Sequence, residues 1–430
     1  MTESPQSAGP SATEHASVVP AQADLVIIGG GMVGVTLALL LADRLPQLRV
    51  VLLEATRFPA FQPGQPLPYT PSFDARNTAL SRRTLQAFTD LGLWPQLQPH
   101  ATPIHHIHVS DRGHFGISRL NAAEEGVESF GQVMENAWLG VVLLAALRQR
   151  PSVTLCDGVD VTGLRVDGEQ ALVSLRDAAG EHTLRAPLAV AADGTQSRCR
   201  DWLGLSATWR DYGQTALVTT VATSLPHGQV AYERFTSDGP IALLPLPDEP
   251  GQPRQTRRSL VWALGSAEAE RVAALDDAAF LSEFQQAFGR RAGRFTRVGR
   301  RHAYPLQLMV APQQVAPRAL ILGNAAHSLH PVAGQGFNLC VRDALVLVER
   351  LAGAVAAGQD IGDITLLRAY EAARSEDQRQ IIRFSDSLVR GFSSANPLLA
   401  LLRNAGLVGF DLLPGAKPAL ARYAMGLNHV

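Results

Sequence analysis

Three glycines with the spacing Gly29-x-Gly31-x-x-Gly34 carry the strongest chemical signal in the sequence. They follow an apolar run and open a stretch rich in leucine and alanine, and Glu54 ends the next apolar run. Such a turn lets a pyrophosphate approach the amides of a helix N-terminus, while the carboxylate accepts hydrogen bonds from a ribose. The pattern predicts a site for FAD or NAD, because a carboxylate at this position disfavours the 2′-phosphate of NADP.

Two further turns follow apolar runs much later in the chain, Asp193-Gly194 and Gly323-Asn324. Because the carboxyl ends of parallel strands meet at one edge of a sheet, we expect both turns to lie at the edge where ligands bind. A dehydrogenase normally places a separate catalytic domain after one dinucleotide-binding unit. The recurrence of strand-end motifs far downstream therefore favours a flavin.

A glycine-rich segment at residues 334–338 follows the second of these turns and precedes a long helical pattern. The amides and the positive dipole of a helix N-terminus suit a delocalised anion, such as the edge of a reduced flavin. His327 and His330 lie between the turn and this segment. We interpret them as structural residues of a flavin-holding loop, with acid–base groups as the alternative.

The hydrophobic pattern predicts an α/β part, a β-rich part and a helical C-terminal part. The predicted elements are a strand at 24–28, a helix to 44, a strand at 49–53, a loop at 57–75, a strand at 104–109, a helix at 136–149, a hairpin of 159–166 with 171–176, a strand at 187–192, a β-rich stretch at 205–265, helices at 267–300, a strand at 318–322, a helix at 336–357 and helices from 365 onward. The crossover near the N-terminus implies a parallel pair of strands.

Composition and charge exclude several classes of function. The chain has 430 residues, is 46% hydrophobic and carries a formal net charge of −1, so no bulk attraction to nucleic acid is implied. Its single lysine, Lys417, lies beside a proline, which excludes a phosphate-binding Gly-Lys-Ser/Thr loop and argues against Schiff-base chemistry. The dispersed Cys156, Cys199 and Cys340 argue against structural zinc, iron–sulfur clusters and disulfides, and fit a reducing compartment.

Several specific stretches resemble one known family. They are RNTALS at 76–81, IHVSDRG at 107–113, RDYGQTALV at 210–218, AYERF at 231–235, GQGFN at 334–338, FSDSLVR at 384–390 and RYAMG at 422–426. With them the chain resembles the FAD-dependent aromatic hydroxylases of the para-hydroxybenzoate hydroxylase class, from about residue 24 to 428. Within that class it is most similar to the ubiquinone-biosynthesis hydroxylases, and the last two stretches indicate the 2-octaprenyl-6-methoxyphenol hydroxylase branch.

This resemblance implies a role for each matching residue. The ADP half of FAD would contact Gly29, Gly31, Met32, Val33, Gly34 and Glu54. Arg76 would lie near the flavin, and Asp193, Gly194 and Arg200 near the pyrophosphate and the nicotinamide. The isoalloxazine ring would be faced by Gly334, Gln335, Gly336, Phe337 and Asn338. The chain departs from the family at Asn324, where the family usually has Asp, and at Asn136, where it often has Arg or Gln.

The implied architecture is a discontinuous α/β, Rossmann-like FAD-binding domain with an inserted β-rich substrate domain. The first would comprise residues 23–95, 130–204 and 305–364, and the second residues 96–129 and 205–304. Residues 1–22, rich in Ser, Pro, Ala and Gln without an apolar core, are expected to form a disordered tail rather than a signal peptide. Residues 365–430 would form a helical C-terminal segment.

The implied reaction is hydroxylation of the ring of a polyprenylated phenol in ubiquinone biosynthesis, with FAD, O₂ and NAD(P)H. The sequence has no second dinucleotide fingerprint, so the family resemblance implies a transient NAD(P)H site near the flavin. No side chain is assigned as catalytic, because the flavin carries the chemistry. The expected location is cytoplasmic, with peripheral contact at the inner membrane or with other proteins of the pathway.

Other interpretations stay open at this stage. The protein could hydroxylate another ring position in the same pathway, reduce isoprenoid double bonds with a flavin, or be a flavin-binding scaffold without activity. No metal site is expected from the histidines at 105, 106, 108 and 114, because no third ligand has suitable spacing.

Two surfaces also allow two interpretations. The six arginines of residues 290–301 predict either a solvated face or a docking surface for a partner or an anionic lipid. The apolar residues Phe384, Leu388 and Phe392 predict either core packing or a route for an isoprenoid tail.

Overall fold

A computed structural model describes residues 19–59, 67, 69, 76–112, 117–249, 254–329 and 334–392, with side chains as far as residue 387. In chain order the strands are β1 (Leu25–Ile28), β2 (Val50–Glu54), β3 (Asn77–Ser81), β4 (Thr102–Pro103), β5 (His106–Asp111), β6 (Ile117–Asn121), β7 (Gly131–Glu135), β8 (Val153–Asp157), β9 (Asp160–Asp167), β10 (Gln170–Asp177), β11 (Gly180–Ala186), β12 (Leu188–Ala191), β13 (Thr208–Thr223), β14 (Val230–Phe235), β15 (Pro240–Pro245), β16 (Arg257–Gly265), β17 (Phe295–Val298), β18 (His302–Val310), β19 (Val315–Ala316), β20 (Ala319–Ile321) and β21 (His327–Ser328).

The α-helices connect and cover these strands. They are α1 (Met32–Arg44), α2 (Arg82–Asp90), α3 (Trp94–Leu97), α4 (Asn136–Leu147), α5 (Arg198–Trp202), α6 (Ser266–Ala273), α7 (Asp277–Phe288), α8 (Gln335–Ala356) and α9 (Ile364–Phe392). Short 3₁₀ turns occur at Gln98–His100 and Gly323–Ala325. No helix in the described part of the chain combines the length and apolar character needed to cross a bilayer.

Strand β1 lies inside a six-stranded sheet with the order β19-β20-β12-β1-β2-β8. It is fully buried and pairs in parallel with both neighbours, as its continuous apolar sequence predicts. Because side chains alternate along a strand, Leu25 and Ile27 pack in the core beneath α1, α4 and α8. Val26 and Ile28 face the opposite core, which the antiparallel β9, β10 and β11 cover.

The carboxyl edge of this sheet brings the predicted motifs together. Strands β20, β12, β1 and β2 are parallel neighbours. Their ends lead directly into Gly323, the Asp193-Gly194 turn and Gly29, and β2 ends at Glu54. The expectation that these turns share one sheet edge is confirmed.

A second, larger sheet stands beside the first. Its order is β21-β18-β13-β16-β15-β14-β5-β6, and β17 pairs with the end of β13. Helices α6 and α7 cover one face through Phe280, Phe284 and neighbouring aromatic residues, which pack against Trp262. The opposite face packs in part against the small sheet β3-β7-β4, which also contacts α2 and α4.

The prediction of continuous helices through residues 267–300 is wrong at its end. Helix α7 stops at Phe288, because Gly289 has a φ of +88° and Gly293 has the same φ four residues later. β17 then begins at Phe295 and pairs with β13. The other predicted helices and strands recur with bounds shifted by at most three residues where they are described. The predicted helical segment is described as far as Phe392, and its remainder to residue 430 lies outside the described residues.

Candidate cofactor and substrate site

Of the three predicted glycines after β1, chain packing requires two and does not require the third. A Cβ on Gly34 would lie 1.9 Å from the carbonyl oxygen of Gly29, and a Cβ on Gly29 would lie 2.5 Å from that of Ala192. A Cβ on Gly31 would meet no atom within 4 Å. Gly29 and Gly34 therefore allow the chain to pack, whereas Gly31 leaves an open approach to the backbone at the start of α1.

Glu54 is held in place beside this turn by two backbone amides. Its Oε2 accepts a hydrogen bond from the Gly30 amide at 2.7 Å, and its Oε1 accepts one from the Thr56 amide at 2.8 Å. Gly31 caps α1 without a side-chain hydrogen bond, so no side chain competes for the first amides of the helix, those of Met32 and Val33. An oriented carboxylate next to an open helix N-terminus fits the ADP half of a dinucleotide.

The Asp193-Gly194 turn after β12 contains a carboxylate oxygen without a hydrogen-bond partner among the described residues. Asp193 Oδ2 accepts a hydrogen bond from the Cys199 amide at 3.1 Å, whereas Oδ1 is buried and has no partner among the described residues. A buried carboxylate oxygen without a partner is rare, and a bound hydroxyl or amide would satisfy it. Burial and the nearby Asp193 raise the pKa of the Cys199 thiol, so this cysteine stays protonated and is not a nucleophile.

Arg200 joins the second turn to the third. Its Nη1 donates to the carbonyl oxygens of Thr195 and Ala325, each at 3.1 Å, from a buried position. The family resemblance places Arg200 near the pyrophosphate and the nicotinamide, and in the structure its guanidinium holds these two turns at a fixed separation. That bracing role depends on a contact across 125 residues, which the local motif does not encode.

The third turn presents Asn324 to solvent. Gly323 has a φ of +68° and packs against Val33, since a Cβ there would lie 3.0 Å from Val33 Cγ1. Asn324 is exposed, and its Oδ1 lies 4.0 Å from Cys340 Sγ. Its amide therefore has room for a further hydrogen bond, and we propose it as a ligand of a sugar or ribityl hydroxyl.

Asn338 differs from the role that the resemblance implies. Its Oδ1 accepts hydrogen bonds from the Ser81 amide and from Thr84 Oγ1, both at 2.8 Å. Its Nδ2 donates to the carbonyl oxygens of Ala79 and Gly334, both at 2.9 Å. The amide is buried and fully engaged, so we propose that Asn338 fixes the start of α8 and does not bond the flavin through its side chain.

The rest of this loop frames an open approach. Gly334 caps α8 in the left-handed conformation with a φ of +60°, and a Cβ on Gly336 would meet no atom within 4 Å. Gln335 is buried, and Phe337 packs against Phe88 with ring centroids 6.5 Å apart. His330 and residues 331–333 lie outside the described residues.

Arg76 and Asn136 meet where β3 pairs with β7. The Asn136 amide donates to the Arg76 carbonyl oxygen at 2.9 Å, and Asn136 Oδ1 accepts from Thr78 Oγ1 at 2.5 Å. The Arg76 side chain is exposed, which leaves its guanidinium accessible to an anion. We propose that Arg76 contacts the cofactor and that Asn136 holds the backbone of Arg76.

A buried ion pair joins β7 to the second sheet, and sequence analysis missed it. Arg257 Nη2 lies 2.9 Å from Glu135 Oε1, and the two side chains are 4% and 1% exposed. Burial and a hydrogen bond with Glu135 raise the pKa of Tyr69. Because Glu135 directly precedes Asn136, the pair fixes the position of the Asn136 backbone relative to the second sheet.

A buried charged network joins β21 to α8 and α9. His327 Nε2 lies 2.6 Å from Asp343 Oδ2 of α8, and Asp343 Oδ1 accepts from Arg374 Nε of α9 at 2.6 Å. Arg374 also pairs with Asp377, which Arg342 Nε contacts at 2.9 Å. The prediction that His327 is structural agrees with this geometry, because its Nε2 is occupied by the Asp343 carboxylate.

An open apolar row crosses the second sheet on the face away from α6 and α7. Strand pairing aligns Val218 with Val261, Val261 with Ala242, Ala242 with Glu233, and Glu233 with Val109. All five side chains are half-buried, although most of their neighbours are buried. We call these five residues the apolar row. Four of them are apolar, and Glu233 places one carboxylate within the row.

Neighbouring side chains show which way the apolar row points. Tyr232 packs edge-on against Phe288 of α7, so Glu233 must point to the other face. On that other face, Ala231 and Leu244 cluster with Val133 of β7, the strand that leads to Asn136. The apolar row therefore lies on the same side of the second sheet as the candidate cofactor residues.

The histidine cluster near residue 106 has a different environment. Among the described residues, no group of three or more His, Cys, Asp or Glu side chains could hold a metal ion. His108 contacts the Arg291 guanidinium, and burial together with Arg291 lowers the pKa of His108 to about 4. His108 is therefore a neutral, hydrogen-bonded sheet histidine, and His114 lies outside the described residues.

Comparisons with known proteins agree with this geometry. Residues 22–385 match the family described as an FAD binding domain. The chain is 35% identical to the ubiquinone hydroxylase UbiL of Rhodospirillum rubrum, over 94% of this chain and 90% of the relative. It is 31% identical to the 3-demethoxyubiquinol 3-hydroxylase of Escherichia coli, over 94% of this chain and 98% of the relative.

A solved structure shares the architecture. The p-nitrophenol 4-monooxygenase PnpA of Pseudomonas putida superposes with a TM-score of 0.74 at 19% identity. The match covers 95% of this chain and 99% of that protein. Both sheets and the helices that cover them therefore belong to one shared fold.

Proposed function

The chain belongs to the FAD binding domain family, and from that premise we propose that it is an FAD-dependent monooxygenase that hydroxylates the ring of a polyprenylated phenol in ubiquinone biosynthesis. NAD(P)H is the reductant typical of the family, and O₂ is the oxygen donor. The observation that carries the proposal is the carboxyl edge of the parallel sheet, with its open glycine turn and unsatisfied Asp193 Oδ1, on the side towards which the apolar row points.

Different residues around that edge would bind different parts of FAD. The amides of Gly31, Met32 and Val33 would hold the pyrophosphate, and Glu54 would hold the adenosine ribose. Asp193, Gly194 and Asn324 would bind the middle of the cofactor. Gly334, Gln335, Gly336 and Phe337 would frame the ring, with Arg76 at its side. When bound, FAD would supply the redox chemistry that couples oxidation of NAD(P)H to the insertion of one oxygen atom of O₂ into an electron-rich ring.

The protein contributes orientation and exclusion of water. An aromatic ring placed on the apolar row loses hydration on one face and is held at the cofactor side of the second sheet. The Glu135–Arg257 pair and Arg200 fix the elements that carry the two halves of the site. These contacts would keep the distance between the substrate ring and the cofactor constant. Their side chains take no part in the redox step.

The last described helix, α9, packs against the second sheet where we place the prenyl tail. Asp386 of α9 accepts hydrogen bonds from Arg210 Nη1 at 2.7 Å and from the Tyr212 hydroxyl at 3.0 Å. Tyr212 packs with Ala216 and Leu306 on the inner face of the second sheet. We propose that the segment around Phe384 contacts the tail; Leu388 and Phe392 have side chains outside the described residues.

The proposal predicts that the tail improves both binding and coupling. A phenol with a short prenyl tail should bind more tightly than the same phenol without it, because each buried methylene contributes about 0.8 kcal/mol. It should also yield more hydroxylated product per NAD(P)H, because remote binding energy holds the ring in place. The measurement compares NAD(P)H consumed, product formed and hydrogen peroxide released for the two phenols.

A prenyl alcohol without a ring serves as the control for that measurement. It should compete with the tailed phenol and yield no hydroxylated product. Equal affinity and equal coupling for the two phenols would contradict the tail-binding claim and make a soluble aromatic compound the better substrate.

A second ring position is the alternative that one observation favours. The relative from Escherichia coli is a 3-demethoxyubiquinol 3-hydroxylase, whereas two stretches of this sequence indicate the 2-octaprenyl-6-methoxyphenol branch. Mass spectrometry of the quinone precursor that accumulates in a deletion strain separates the two. We expect 2-octaprenyl-6-methoxyphenol itself to accumulate.

A further inference from the structure

Residues 289–301, which precede β18, form an unusually basic segment. Six of its thirteen residues are arginine and none is acidic. β17 and the loops on either side display five of these side chains to solvent and half-bury the sixth. We call this surface the arginine face; it comprises Arg290, Arg291, Arg294, Arg297, Arg300 and Arg301.

The neighbouring acidic residues neutralise only part of the arginine face. Arg297 Nη1 lies 3.1 Å from Glu249, and Arg301 Nη2 lies 2.8 Å from Asp277. Arg291 contacts His108, which carries no positive charge of its own at neutral pH. Arg290 and Arg294 form no ion pair with an acidic side chain among the described residues. The face therefore keeps a local positive charge on a chain whose net charge is −1.

A cavity opens within this surface. Its volume is about 530 Å³, and its lining includes Arg297, Arg300, Arg301 and Asp277. Three of the lining residues are arginines and one is acidic; Arg301 pairs with Asp277, and Arg297 pairs with Glu249 outside the lining. Guanidinium groups bind phosphate oxygens in a bidentate manner, and the volume is within the range of small-ligand sites.

An exposed apolar side chain stands beside the arginines. Leu225 is 52% exposed, and a Cβ on Gly293 would lie 2.9 Å from Leu225 Cγ. The preceding residue, Ser224, exchanges hydrogen bonds with the backbone of Arg294 at 2.8 and 2.9 Å. These hydrogen bonds of Ser224 hold Leu225 next to Arg294. An exposed leucine next to an arginine on a basic surface is typical of surfaces that touch the headgroup region of a bilayer.

We propose that the arginine face docks the protein onto membranes that contain anionic phospholipid, with phosphate headgroups at the cavity and Leu225 inserted among the acyl chains. A free phosphate would use the arginines but leave the exposed leucine without a function. β17 and the end of α7 pack on one face of the second sheet, and β7, which leads to the candidate cofactor residue Asn136, packs on the other. This inference goes beyond the proposed ring chemistry and names the surface through which the protein would reach a substrate dissolved in a bilayer.

Vesicle sedimentation with the full-length, FAD-loaded protein tests the proposal. Binding to vesicles with about one third phosphatidylglycerol in phosphatidylcholine should be strong at low salt, weaken as salt rises, and be absent with phosphatidylcholine alone. The double variant Arg290→Glu/Arg294→Glu should bind about tenfold or more weakly, because four units of charge change at the surface. Leu225→Ser should also weaken binding while leaving the charge unchanged.

The matched control carries the same charge change elsewhere. Arg165 and Arg176 lie on β9 and β10 and are exposed, so Arg165→Glu/Arg176→Glu should bind vesicles like the unaltered protein. Thermal unfolding confirms that each variant is folded. Hydroxylation of a detergent-dispersed, short-tailed phenol should be unchanged in the Arg290/Arg294 variant, which separates the docking surface from the catalytic proposal.

Three results would overturn the docking surface. Equal loss of binding in both double variants would indicate an effect of total charge. Equal binding to phosphatidylcholine alone would remove the role of the arginines. Saturable binding of inorganic phosphate without binding to any vesicle would identify a free-anion site.

Discussion

Replacing Gly31 by leucine should weaken FAD binding by about 100-fold or more, corresponding to about 2.7 kcal/mol, while the apoprotein stays folded. The expected result follows from the space around Gly31, where a new Cβ meets no atom within 4 Å. Its φ of −64° and ψ of 174° suit any residue, so leucine strains no backbone. The new side chain would occupy the approach that the pyrophosphate needs.

Gly34→Ala is the matched contrast for this variant. A Cβ at that position would lie 1.9 Å from the Gly29 carbonyl oxygen, so the substitution should destabilise the protein itself. Titration of the two apoproteins with FAD, together with urea unfolding, separates loss of a ligand from loss of a fold. Unchanged FAD affinity in the Gly31→Leu protein would remove this turn from the cofactor site.

Removing the Asp343 carboxylate should cost about 3–5 kcal/mol of unfolding free energy. Asp343 is buried between His327 and Arg374, with both contacts at 2.6 Å. Its loss would leave His327 of β21 and Arg374 of α9 without their shared partner. Urea unfolding of Asp343→Ala at neutral pH measures the effect. Asp167→Ala, which removes a carboxylate exposed on the surface, is the control and should change stability by less than about 1 kcal/mol.

The same carboxylate should make stability depend on pH in acid. Burial alone would raise the pKa of Asp343, but His327 and Arg374 outweigh it and hold the pKa at about 2, below the usual 3.8. The stabilising contribution is therefore complete above about pH 4 and is lost as the pH falls towards 2. Asp343→Ala should remove this part of the pH dependence. An identical acid profile in the variant and the parent protein would contradict the assignment.

Local spacing explains why the sequence predicts the carboxyl edge of the parallel sheet. Gly29, Gly31 and Gly34 lie within six residues, and Glu54 ends the adjacent strand. The apolar runs before Asp193 and Gly323 are typical of buried parallel strands. Each motif follows its own strand, so the position of the strand determines the position of the motif. No long-range contact is needed to infer that these residues share one edge.

Other parts of the site depend on contacts that no local pattern records. The Glu135–Arg257 pair spans 122 residues, and each partner alone resembles an ordinary surface charge in the sequence. Asn338 matches the family motif, yet Ser81 and Thr84, more than 250 residues earlier, occupy its amide. Helix α7 was overextended in the prediction because the arginines after Phe288 fit a helical surface as well as they fit β17. Gly289 and Gly293, both at positive φ, end the helix and allow β17 to form.

Labelled oxygen tests the central claim most directly. The enzyme, loaded with FAD and supplied with NAD(P)H, ¹⁸O₂ and a short-tailed prenyl phenol, should produce a phenol with one ¹⁸O atom, and fragmentation should place that atom on the ring. Incorporation in the Gly31→Leu variant should fall with its FAD content. Product without ¹⁸O, oxygen on the tail, or NAD(P)H consumption that yields only hydrogen peroxide at every tail length would contradict the account.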